Sequence, residues 1–313
     1  MVSIVVAVCF LAIDDSVATR SHVSVAPRAS DSSDGYGILA GGGRGVVFRS
    51  QVIALGRRNI ELPTLMYHYI RKPPSILADR IGYNLSVSPS DFSAQMDWLA
   101  VHGYHPVEFN DVRAYFAGKQ PLPAKPVIIT LDDGYADLYT TAYPILEAHG
   151  FKAVAYIVSG FVGQPRYVTA EQVLQLDRNG IEIASHTVEH ANLARLTGSS
   201  LRAQLVDSKQ WLESLLGHPV LDFAYPSGRF NAEVVAAVMA AGYSTAATEI
   251  YSTYHSLADR YTWSRVRVRG GESLAEFVRN LGVAMPSSTI ATVVTATATA
   301  PPDLAPPLLA GSR

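Results

Sequence analysis

From about residue 62 to residue 284, short β-branched runs alternate with stretches of helical periodicity, and few folds accommodate that order. The runs are LPTLMY (62–67), PVIITL (126–131), KAVAYIV (152–158), IEIAS (181–185), LDFAYP (221–226), YSTAAT (243–248) and WSRVRV (263–268). Each has the length and composition of a buried strand. Between them, residues 88–103, 135–150, 169–180, 199–217 and 231–242 read as helices. In the first, Ser90 or Asp91 is placed to cap, Phe92, Met96, Leu99 and Ala100 form one face, and Gly103 ends it. Pro144 is expected to kink the second, and Thr169 and Gly180 bound the third. Strands alternating with helices are parallel βα units. So many units in so short a span predict a barrel rather than an open sheet. In either case a site belongs at the C-terminal ends of the strands.

The flanks have a different character. VSIVVAVCFLAI (2–13) is shorter than the ~20 apolar residues a membrane span needs. It reads as the core of a signal peptide over residues 1–18, with SVA (16–18) as the cleavage site, although no Lys or Arg precedes it. Residues 19–60, rich in Ser, Gly and Ala, read as a linker; residues 61–285 as the folded domain; residues 286–313 as a disordered Ala/Thr/Pro-rich tail. The expected location is secreted or in the cell envelope, without a stable membrane span. A net charge of −2 and the lack of a basic stripe argue against nucleic acid as a partner. The single cysteine, Cys9, excludes an intramolecular disulfide. A monomer is expected.

Several strand ends carry residues that a core would not hold. PVIITL runs into Asp132 and Asp133; IEIAS into His186 and His190; LDFAYP into FAYPSGRFN (223–231); and LPTLMY into His68. If helical, the four-residue spacing of His186 and His190 places both imidazoles on one face, close enough to share a metal. A carboxylate from another strand end completes a two-histidine, one-carboxylate set, and Asp133 can supply it. Asp132 is then free to act as a base beside the cation. A second reading stays open: HTVEH (186–190) also fits H-x-x-E-H, the inverted zinc-peptidase pattern, with Glu189 as base. That motif belongs within a helix, whereas here it follows a strand directly.

TLDDGYADLY, SHTVEH and FAYPSGRFN, in that order, resemble the first three motifs of the NodB-homology polysaccharide deacetylases, carbohydrate esterase family 4. LMYHYI and SPSDFSAQMDWLAVHGYHPV are similar to the branch that includes the poly-N-acetylglucosamine deacetylases, where the usual C-terminal Leu-x-His motif is moved to the front. The resemblance spans about residues 62–284. It implies a distorted (β/α)7 barrel that hydrolyses N-acetyl groups on a polysaccharide. It further implies that Asp133, His186 and His190 hold one divalent ion, with zinc expected. Asp132 would be the general base, His68 the general acid, and the backbone N–H of Ser227 the oxyanion donor.

One position departs from the pattern. Where the third motif has an arginine that orients the base, this chain has Ala224. Arg265 is expected to replace it from another strand, and Arg267 points the same way along that strand. The missing arginine also leaves open a sugar-binding module with impaired catalysis. Tyr225 and Trp263 are candidates for stacking on a sugar ring, with a packing role as the alternative for each.

Overall fold

The computed structural model describes residues 59–282. The signal-peptide and tail assignments, and the linker up to residue 58, lie outside the described residues. At the linker's end, Ile60–Glu61 already forms a short strand against Tyr254–His255.

Seven parallel strands form the scaffold: β1 (Thr64–Tyr67), β2 (Pro126–Leu131), β3 (Ala153–Ile157), β4 (Ile181–Ser185), β5 (Asp222–Ala224), β6 (Thr245–Ala247) and β7 (Val266–Arg267). Their spatial order is β6-β5-β4-β3-β2-β1-β7, and every neighbouring pair is parallel. The curled sheet is that of a distorted (β/α)7 barrel, as the order of elements in the sequence predicts. The distortion is concentrated at one seam. Trp263 hydrogen-bonds to the β6 side, through Trp263 N to Ala246 O and Thr248 N to Trp263 O. A few residues on, Val266 and Arg267 pair with Leu65 and Met66 of β1. One short segment therefore joins the two margins of the sheet.

Alternation along the strands builds two apolar layers. Leu65, Val127, Ile129, Leu131, Ala155, Ile183 and Phe223 face outward onto the helices. Ile128, Val154, Tyr156, Ala184, Ala224, Ala247 and Trp263 fill the interior. On β2 the inward parity of Ile128 continues through Thr130 to Asp132, so the aspartate enters the mouth of the barrel. Trp263 and Arg265 share the inward parity of the seam.

The helices follow the expected pattern with shifted ends. The first spans Pro89–Val101 and is capped by Ser88, whose Oγ accepts from Asp91 N, rather than by Ser90 or Asp91. Pro89 then sits in the first turn, where a missing N–H costs nothing. Pro144 also sits in a first turn, that of Tyr143–Ala148, after a single π turn at Leu138–Ala142. The helices Arg80–Leu85 and Phe109–Phe116 were not evident from periodicity. None of the helices among the described residues is long and apolar enough to cross a membrane.

The loop after β1 is fastened to the end of β7 at Gly270. Its N–H donates to Asn84 O, and an added Cβ would lie 1.9 Å from Tyr83 O and 2.5 Å from Ser86 O. Backbone oxygens cannot swing aside, so Gly270→Ala should destabilise the fold by about 1–3 kcal/mol. A thermal melt should show a midpoint lowered by roughly 3–10 °C. An unchanged midpoint would mean that this junction yields easily.

Candidate active site

The exits of β1, β2, β4, β5 and the seam bring His68, Asp132, Asp133, His186, His190, Ser227 and Arg265 to one end of the barrel. Asp133 leaves the strand direction at once, with φ of 74°. Its Oδ1 lies 3.4 Å from His186 Nε2 and 3.3 Å from His190 Nε2. Two atoms bound at 2.0–2.1 Å to one tetrahedral ion stand about 3.4 Å apart, so these separations suit a shared cation. Asp133 Oδ1 is buried and has no hydrogen-bond partner among the described residues. His186 Nδ1 bonds to Ala224 O at 2.8 Å, which fixes the ring and turns Nε2 towards the aspartate. The donor set and its spacing fit a divalent metal.

The histidines are not on a helix. His186 follows β4, and His190 lies in an irregular loop with φ of 54°; Thr187 between them has φ of 71°. The loop is held from outside. Ser159 N and Gly160 N donate to Thr187 O and Val188 O. Gln204 Oε1, from helix Gly198–Leu216, accepts from both Val188 N and Glu189 N at 3.1 Å. Glu189 itself is exposed, within reach of Gln204 and not among the three clustered groups. The helical geometry that the peptidase pattern requires is absent from this loop.

Asp132 is 3 % exposed and is held by Arg265, which is 1 % exposed. Arg265 Nη1 donates to Asp132 Oδ1 at 2.7 Å and Nη2 to Oδ2 at 2.9 Å. Its remaining donors reach Thr130 Oγ1 and Thr248 O. Arg265 thus meets Asp132 from another strand, while Ala224 stands at the third-motif position. Burial alone would raise the Asp132 pKa; the charges of Arg265, His68 and His186 reverse that and hold it below the usual carboxylate range. Arg267 does not reach Asp132. Its Nη2 bonds to Glu249 Oε2 at 2.6 Å.

His68 is nearly buried, with Nε2 4.0 Å from Asp132 Oδ2. Burial lowers its proton affinity; Asp132 and Asp133 oppose the shift, while Arg267 and Arg265 add to it. At the metal cluster the two histidines differ. Burial disfavours charge on His186, but Asp133 and Asp132 outweigh it and raise the pKa. On His190, burial and the neighbouring charge of His186 lower it. Asp133 itself lies far below the usual range, because the three histidines overcome its burial.

Ser227 sits on a single exposed turn after β5, Pro226–Gly228, with φ of 53°. Tyr225 and Trp263 do not line the site. Tyr225 is 0 % exposed and donates to Tyr261 O; Trp263 is 1 % exposed, donates to Thr64 Oγ1 and lies flat on His255. Inward parity at the seam and packing against Phe223 and Phe230 account for both. The half-buried aromatics around Asp133 are instead Tyr69 and Tyr135, stacked at 3.6 Å, with Tyr167 beyond. Gln204 and the carbonyls of Ala224 and Thr248 were missed. Gln204 carries no sequence signal, and a carbonyl has none to give. Thr130 was legible in principle, because it shares parity with Asp132.

Comparison with known proteins agrees with this geometry. The polysaccharide deacetylase family profile matches residues 119–246. YxkH of Bacillus subtilis (strain 168), assigned to the polysaccharide deacetylases, is 32% identical over 217 residues, covering 69% of this chain and 75% of that protein. The poly-β-1,6-N-acetyl-D-glucosamine N-deacetylase of Staphylococcus aureus (strain MRSA252) is 26% identical over 200 residues, or 57% of this chain and 68% of the relative. Among solved structures, the Streptococcus pyogenes deacetylase PplD in complex with acetate superposes with a TM-score of 0.66 at 26% identity, covering 72% of this chain and 99% of that one. With a full set of strand-end residues on the matching scaffold, the chain belongs to the polysaccharide deacetylase family.

Proposed function

We propose that this enzyme removes N-acetyl groups from an N-acetylglucosamine polymer outside the cell or in its envelope. The carrying observation is that a buried, arginine-held carboxylate stands beside a ready-made site for a cation. Similarity to poly-β-1,6-N-acetylglucosamine deacetylases supports that polymer as the substrate. The hold of Arg265 on Asp132 supports catalysis over a binding module, in which a buried, ionised carboxylate would have no task.

An acetamide is a weak electrophile with a poor leaving group. A divalent ion held by Asp133, His186 and His190, with zinc as our assignment, supplies a Lewis acid for the acyl oxygen and the attacking water. Asp132 takes the proton from that water, and Arg265 keeps it ionised and oriented for the task. The Ser227 N–H donates to the acyl oxygen as negative charge develops there. His68 delivers a proton to the departing nitrogen, which cannot leave as an anion. A lowered proton affinity makes its imidazolium a stronger acid for that step.

Three tests follow from these roles. Removing metal with a chelator should abolish release of free amines from N-acetylglucosamine oligomers, and one equivalent of metal per chain should restore it. Asp132→Asn should keep the metal yet lose roughly 10²–10⁴-fold in kcat; a variant that stays active would remove Asp132 from the base role. Metal affinity should fall as pH drops from neutral, because protons compete for the histidines, first at His186 with its raised pKa. Affinity that is flat with pH would argue against histidine ligands.

Arg265→Ala separates orientation from packing. Leaving Asp132 buried and unpaired should cost about 3–5 kcal/mol of stability. Because Arg265 lowers the Asp132 pKa, its loss should shift the acid limb of the pH–rate profile to higher pH. A stable, fully active variant with an unmoved acid limb would sink this assignment.

A further inference from the structure

The ion pair of Glu249 and Arg267 is not needed by the chemistry above. Glu249 lies just beyond β6 and Arg267 ends β7, so both stand at the catalytic end of the barrel. A single contact joins them, Arg267 Nη2 to Glu249 Oε2 at 2.6 Å, with side chains 25% and 28% exposed. Among the described residues, Glu249 Oε1 and the Nε and Nη1 of Arg267 have no hydrogen-bond partner, and none of them counts among the sealed polar atoms. An ion pair this open contributes little to stability. Its free donors and acceptor face solvent at the mouth of the site.

Its position is specific. Gly228, with φ of 62°, rests on Glu249: an added Cβ would lie 2.9 Å from Glu249 Cβ and Cγ. The turn that carries Ser227 is therefore seated on the glutamate stem. On the other side, Arg267 is in register with Met66, two residues before His68, and its charge is felt by that histidine. The pair thus lies between the turn that carries the Ser227 N–H and the strand that leads to His68. The ring of a sugar whose acyl oxygen met Ser227 and whose nitrogen met His68 would lie beside this pair.

We propose that Glu249 and Arg267 form a clamp for the vicinal hydroxyls of the sugar ring that carries the reacting acetamide, and that the clamp selects linkage. The inference rests on the roles proposed for Ser227 and His68. A carboxylate accepts and a guanidinium donates in a planar fork, so together they satisfy two neighbouring hydroxyls, each both donor and acceptor. A 1,6-linked 2-acetamido sugar keeps its 3- and 4-hydroxyls free. A residue within a 1,4-linked chain gives up O4 to its neighbour and offers no such pair; only the non-reducing end keeps it. The clamp therefore favours 1,6-linked polymers.

The test compares kcat/KM for amine release from β-1,6-linked and β-1,4-linked N-acetylglucosamine oligomers, using metal-loaded wild type, Glu249→Gln and Arg267→Gln. Wild type should prefer the 1,6-linked oligomer. Each variant should lose roughly 10–100-fold on that oligomer, mostly in KM, and clearly less on the 1,4-linked one, so that the preference collapses. Equal losses on both would make the pair a support for His68 or Ser227 and overturn the clamp. No loss on either, or a wild type that prefers 1,4 linkages, would overturn it too. A wild type with one bound metal that releases amine from neither oligomer would instead overturn the proposed function, and the clamp with it.

Discussion

A carboxylate sealed in the mouth of a barrel needs a counter-charge, and most of this active site is arranged around meeting that need. Taking an ion pair out of water costs several kcal/mol per ion unless geometry and hydrogen bonding are close to complete. Here they are: the Arg265 guanidinium grips both oxygens of Asp132 and spends its other donors on Thr130 and the Thr248 carbonyl. Those contacts tie β2, the exit of β6 and the seam to one another. Closing the barrel and neutralising Asp132 are thus one event. A planar fork suits this role in a way that a lysine, with its point charge, does not.

The second theme is backbone strain at the catalytic end. Asp133, Thr187, His190 and Ser227 all have positive φ without being glycine. Such conformations cost of order 1–3 kcal/mol each and persist only when the surroundings impose them. The surroundings are identifiable. Gly160 packs against the Val188 carbonyl, Gln204 holds two amides of the histidine loop, and Gly228 seats the Ser227 turn on Glu249. Glycine would relax the backbone at these places, but at Asp133 or His190 it would forfeit a ligand atom.

The sequence disclosed whatever depends on parity or on strand ends. The seven strands, the C-terminal location of the site and the meeting of Asp132, Asp133, His186, His190 and His68 all follow from where apolar runs stop. Alternation along WSRVRV points Arg265 and Arg267 the same way, and it is Arg265 that meets Asp132. What stayed hidden depends on tertiary context. The spacing of His186 and His190 suggested a helical turn, yet tethers from residues 159, 160 and 204 impose an irregular loop. Tyr225 and Trp263 were candidates for sugar stacking, but Tyr225 packs outward against Phe223 and Phe230, and Trp263 turns inward at the seam. Helix Phe109–Phe116 is short, and its capping by Glu108 and Asp111 carried more signal than its periodicity did.

The seam also sets a timetable. Asp132 precedes Arg265 by 133 residues in the chain. At translation rates of 5–20 residues per second, that separation is on the order of ten seconds. From His190 onward the nascent chain holds Asp132, Asp133, His186 and His190 but still lacks the cation that lets Asp132 be buried. Ribosome-bound chains can therefore assemble β2 to β5 only with the mouth still open to water. The buried pair of Asp132 and Arg265 forms only once the seam segment has been made.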